Sequence, residues 1–108
     1  MTHLMNLNDK PFELIQSGKK TIELRLNDEK RRKIRVGDHI LFNSSLEVEV
    51  VALHSYSDFE ELYAAFPLSV LGYCKEEEAT ASPDDMLAYY TKEQIATYGA
   101  LGIEIKLI

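Results

Sequence analysis

The 108 residues carry a net charge of −6, with 45% hydrophobic and 28% charged side chains. That balance suits one globular domain over residues 1–108, long enough for a core of its own, and excludes a disordered chain. No run of 18 apolar residues occurs, and Met1 to Asn6 form neither the basic nor the apolar region of a secretory signal, so a cytoplasmic protein without a membrane partner is expected. Cys74 stands alone, which excludes an internal disulfide. His3, His39 and His54 are not spaced with it as zinc ligands are, so no metal and no cofactor is expected.

In chain order, residues 3–7 read as a short strand. Asn8 or Asp9 then caps a helix with Pro11 in its first turn, an apolar side at Phe12, Leu14 and Ile15, and Gly18 as its left-handed stop. From Lys20 to Leu26, Ile22, Leu24 and Leu26 alternate with Thr21, Glu23 and Arg25, the period of a half-buried strand. Asn27 to Lys33 form a polar loop or short helical turn, and Val36-Gly37-Asp38 a tight turn. A strand at 39–42, a hairpin turn at Asn43-Ser44-Ser45 and a strand at 46–53 follow.

Ser57 with Glu60 makes a capping box, and Phe59, Leu62, Tyr63 and Phe66 fall on one helical face that Pro67 ends. Residues 74–81 are an acidic loop. Ser82 caps a further helix with Pro83 just inside, and the box from Thr91 to Gln94 predicts a break at Thr91. Tyr98-Gly99 stops the helical region, and Leu101, Ile103, Ile105 and Leu107 form a closing strand. Helices so irregularly spaced do not make repeated parallel crossovers. An α+β fold is expected, with a small, mostly antiparallel sheet curled into a barrel, helices on its flanks and its edges hidden by closure.

The charge is unevenly distributed. Residues 19–35 hold eight of the twelve bases and only three acids, a local +5 against −11 elsewhere. A local positive potential attracts phosphates, while the acidic remainder repels long duplexes, which favours a compact anionic ligand or a short single strand. Glu23 and Arg25 share one strand face, where the carboxylate holds the guanidinium and leaves it donors for a phosphate or a base edge. Strand parity directs Lys20 to the opposite, apolar face, so it joins them only if the chain twists or bulges. The bland alternative is a solvated ion pair of little worth. Arg31, Arg32 and Lys33 are candidates for a phosphate-contacting rim, and Tyr98 for stacking on a base.

Gly18-x-Lys20-x-x-Glu23-x-Arg25 resembles the G-x-K-x-x-E-x-R signature of the ASCH domain (activating signal cointegrator homology), a branch of the PUA-like barrels. The capped helix before it, the segments 25–32 and 36–42, and the final strand 98–105 agree in order. The resemblance implies a PUA-like barrel and a cleft lined by Lys20, Glu23 and Arg25 that takes RNA, a nucleotide or a modified nucleoside. One branch of the family resembles amidohydrolases that remove an acyl group from N4 of modified cytidine, using a lysine, a threonine three residues later and a distant glutamate. That alternative implies Lys20 and Glu23 as catalytic residues. Yet Glu23 stands where the threonine belongs, Thr21 is not its substitute on strand grounds, and Glu76, Glu77 and Glu78 are the candidates for the distant carboxylate.

Overall fold

The computed structural model describes all of residues 1–108. Five strands, β1 (Thr2–Met5), β2 (Ile22–Leu26), β3 (His39–Phe42), β4 (Leu46–Tyr56) and β5 (Ala100–Leu107), form one sheet in the order β1-β3-β4-β5-β2. Only β1 against β3 is parallel. The helices are α1 (Asp9–Gln16), α2 (Phe59–Ala65) and α3 (Lys92–Tyr98), with 3-10 turns at Arg31–Lys33, Lys75–Glu77 and Pro83–Ala88.

The long strand β4 bends because its register with β5 slips between Val50 and Ala52, a bulge that adds curl. The sheet is thus a curled half-barrel, α+β as expected, but not the closed barrel. β1 and β2 remain as edges. The physical reason lies in the seam between them. There Asn6 to Asn8 and α1 follow β1, and the one polar bond joining β2 to this stretch is a side chain, Arg25 Nη2 donating to Asn6 O at 3.0 Å.

Alternation along β5 divides the core. Leu101, Ile103 and Ile105 join Met5, Ile15, Ile34, Ile40, Phe42, Val48 and Val50 on one face. Ala100 packs on the other face with Ile22, Leu24, Leu26, Phe59 and Leu62. Each fully buried side chain of this kind, Phe42 or Leu62 for example, contributes roughly 1.5–3 kcal/mol. Because Glu23 and Arg25 register with Ile103 and Leu101, they point to the first face, and β2 is covered on both sides.

Local signals were mostly obeyed. Thr91 accepts from the Gln94 amide at 3.1 Å, and α3 starts there. The cap of α2 is Asp58, which accepts from the Glu61 amide at 2.9 Å, and not Ser57. Ser82 caps a 3-10 turn and not an α-helix. Gly99 adopts φ +77°, and a Cβ there would meet Tyr56 O at 2.6 Å, so the step from α3 into β5 requires glycine.

Candidate functional site

Lys20 precedes the first residue of β2, so the alternation that would send it to the apolar face does not govern it. Its own amide bonds Leu14 O at the end of α1, while the amides of Thr21 and Ile22 both bond Val70 O. This docks the 67–73 segment beside β2. The Lys20 ammonium donates to Leu71 O at 2.8 Å and lies 3.5 Å from Glu23 Oε1. Glu23 Oε2 accepts from Arg25 Nε at 2.8 Å and faces Nη2 at 2.7 Å. The three residues of the motif therefore form one chain of charge. Lys20 and Glu23 are each 5% exposed, the two charged residues buried in the protein.

Burial pushes the Lys20 pKa below the ordinary lysine value, against the raising influence of the Glu23 carboxylate. Gly72 makes room for this side chain. It has φ +105°, and a Cβ there would meet Lys20 Cδ at 3.0 Å. Arg25 Nη1 has no protein partner. It is not sealed from solvent either, since the one sealed, unpartnered side-chain atom is Arg31 Nε.

These groups line one pocket of about 450 Å³ between α1, β2, the 67–73 segment and the Pro83–Ala88 turn. That size falls in the range of small-molecule sites. Leu7, Pro11, Leu14, Leu71 and Met86 give it apolar walls. Tyr63, Tyr73, Tyr89 and Tyr90 add phenol rings. The Tyr63 and Tyr73 hydroxyls lie 2.6 Å apart, and Tyr73 donates to Asp85 Oδ2 at 2.7 Å. Burial raises the pKa of both tyrosines, and of Tyr90, above the usual phenol value. At the outer end Lys10 donates to Glu77 Oε2 at 2.7 Å, which holds the Glu77 carboxyl down to about 2. The lining charges balance, Lys10, Lys20 and Arg25 against Glu23, Glu77 and Asp85.

The basic segment splits on folding. Arg31, Arg32 and Lys33 lie outside this pocket, in the 3-10 turn after β2. Arg31 is paired with Asp28 at 2.8 Å, and Arg32 Nε donates to Asn27 O at 2.8 Å. Tyr98, 36% exposed at the end of α3, is also outside. Sequence reasoning missed the tyrosines at 63, 73, 89 and 90 as pocket residues, together with Lys10, Asp85 and the main chain of β2. Their convergence depends on how the 67–90 segment folds back over β2, which no periodicity encodes. No group of three or more metal-ligating side chains occurs, and no helix is long and apolar enough to cross a membrane.

The ASCH domain family model matches residues 5–108. The chain belongs to the ASCH domain family. This ASCH domain is similar to the hypothetical protein PH0355, whose crystal structure superposes with a TM-score of 0.87 at 37% identity, covering all of both chains. It is also similar to protein PF0455 from Pyrococcus furiosus, solved by NMR, with a TM-score of 0.76 at 33% identity over 100% of this chain and 98% of that one. No curated protein matches it. ASCH domains are generally linked to RNA binding.

Proposed function

We propose that this ASCH domain binds one nucleotide unit, either free or displaced from an RNA strand, in the pocket of Lys20, Glu23 and Arg25. The observation that carries the reading is Arg25. Its Nε and Nη2 are pinned by Glu23 and Asn6, while Nη1 remains without a partner. A guanidinium held in this way has already given up its rotamer entropy, and its planar fork suits phosphate or a polar base edge. Glu23 orients Arg25, and Lys20 ties Glu23 to the 67–73 segment. Arg32 and Lys33 serve a continuing strand as an outer phosphate-contacting rim, with Arg31 held beside them by Asp28. Stacking falls to Tyr89 and Tyr90, which line the pocket, and not to Tyr98.

The test is a thermal-shift and calorimetric screen of nucleosides, nucleotides and short RNAs, because ligands of the folded state raise its apparent stability. At least one class should raise the melting temperature, and Arg25→Met should weaken its binding tenfold or more. Equal binding by the Arg25→Met protein, or no shift with any class, overturns the reading. Salt separates the two forms of ligand, since binding through many phosphates weakens steeply with salt and a nucleoside's does not.

One observation favours a second reading, hydrolysis of an N4-acylated cytidine or a similar small amide. Burial lowers the Lys20 pKa, as proton-transfer lysines require, and Glu77 from the distant acidic loop lines the same pocket. Turnover of acetylated cytidine that Lys20→Ala abolishes would support it. No turnover by the wild-type protein over a panel of amides would remove it.

A further inference from the structure

β2 is an edge strand, and its main-chain bonds to β5 fall on odd residues. Thr21 O accepts from Ile105 N at 2.9 Å, and Asn27 N donates to Gly99 O at 3.1 Å. Even residues therefore turn their N–H and C=O away from β5, as Ile22 N demonstrates by donating to Val70 O. Leu24 is the central even residue and lines the pocket. No main-chain or side-chain group of the protein bonds its N–H or C=O. Its side chain packs into the second core cluster, so the peptide groups, not the leucine, face the ligand.

The open stretch of edge is short. The 67–73 segment occupies the Ile22 end through Val70 O. At the other end the Tyr90 hydroxyl stands against the Leu26 main chain. A peptide adding itself as a strand needs a run of such groups. One residue offers a single donor beside a single acceptor, the pattern on the Watson–Crick edge of a nucleobase.

Resting on the nucleotide reading above, we infer that the Leu24 peptide reads the edge of a neutral nucleobase, its N–H donating to a ring acceptor and its C=O accepting from the neighbouring donor. The balanced lining charges and the phenol rings of Tyr89 and Tyr90 suit an uncharged heterocycle. Arg25 Nη1, one residue along β2, is left for the sugar or phosphate. Unpaired donors and acceptors at such a site discriminate strongly against analogues that cannot satisfy them.

Amide NMR of the full chain titrated with nucleosides tests this. The Leu24 amide should be among the resonances that move furthest, and nucleosides methylated on the pairing edge should bind at least tenfold more weakly. Leu24→Pro removes the N–H without breaking a ladder bond, because that group points off the edge. L24P should lose nucleotide affinity tenfold or more while keeping its affinity for ribose 5-phosphate. If L24P does not fold, the edge-methylated series and the amide shifts decide alone. Ribose 5-phosphate matching the nucleotide in affinity, edge-methylated nucleosides binding undiminished, or an extended peptide being the one probe that shifts Leu24 would each overturn base reading. In the first two cases the Arg25-anchored pocket would survive, whereas silence from every nucleotide and sugar phosphate would remove both.

Discussion

Replacing Glu23 with glutamine isolates what the buried carboxylate does. Glu23 and its partners Lys20 and Arg25 carry side-chain exposures of 6%, 5% and 14%. Together their charge is +1. Glu23→Gln keeps the volume but raises that charge to +2 with no anion between the two cations. It also turns an amide NH₂ toward either the Lys20 ammonium or the Arg25 guanidinium. Removing one partner of a buried pair costs about 3–5 kcal/mol, and the partial solvent contact of Arg25 argues for the lower end. Against a total stability of about 5–15 kcal/mol this is a large share. At roughly 4 °C per kcal/mol for a domain of this length, the melting temperature should fall by about 10–15 °C. Urea unfolding monitored by circular dichroism is the assay, with Lys20→Met as the second arm of a double-mutant cycle. Removing the uncompensated lysine should recover at least about 1 kcal/mol of the loss. A Glu23→Gln protein within about 1 kcal/mol of wild type, or strict additivity with Lys20→Met, would refute the claim that one carboxylate neutralises both cations.

Gly72→Ala should cost about 1–3 kcal/mol for the left-handed backbone alone, and more because its Cβ presses on Lys20 at 3.0 Å. Gly18→Ala, at φ +81° with nothing within 4 Å, should lose only the backbone part, and equal urea midpoints for the two would contradict the Lys20 contact. Tyr63, Tyr73 and Tyr90 have pKa values raised above their unfolded value of 10.0, so the stability they contribute is complete below pH 10 and is lost as pH rises beyond it. Absorbance of phenolate should show these three ionising together with unfolding. Tyr73→Phe should remove one of them. Ionisation of all three in a still-folded protein near pH 10 would oppose this. At the acid end, hydrogen bonds from His3 to Asp38 and from Lys10 to Glu77 depress both carboxyls to about 2. Their stabilising contribution is present above the ordinary carboxylate range and disappears as pH falls from about 4 toward about 2. A doubly substituted Asp38→Asn, Glu77→Gln protein should show a flatter stability profile over that window.

Strand period, turn glycines and capping serines and threonines made most of the elements legible, because each signal acts within a few residues. The closing of the barrel was not legible. Whether β1 meets β2 depends on α1 and the Asn6–Asn8 stretch standing in the seam, a tertiary contact that no local pattern of either strand encodes. At the site, Glu23 and Arg25 were readable from alternation. Lys20 was not, because it stands outside the ladder and takes its direction from Leu14 O and Leu71 O. The basic run from Lys30 to Arg35 drew attention by charge alone, yet Arg31 spends its guanidinium on Asp28. Leu24 carries no signal in its side chain, since what it offers is the peptide common to every residue.

The seam between β1 and the pocket has a dynamic consequence. Where two strands pair, opening requires several main-chain bonds to break together. β1 is laddered on one side alone, to β3, and across this gap one guanidinium contact at Asn6 does the joining, so the amides of residues 2–8 should exchange with deuterated water faster than those of β4 and β5, which are paired on both sides. An occupant gripping Arg25 would act on the same contact, so slower exchange at the amino-terminal strand would report occupancy of the pocket from a distance.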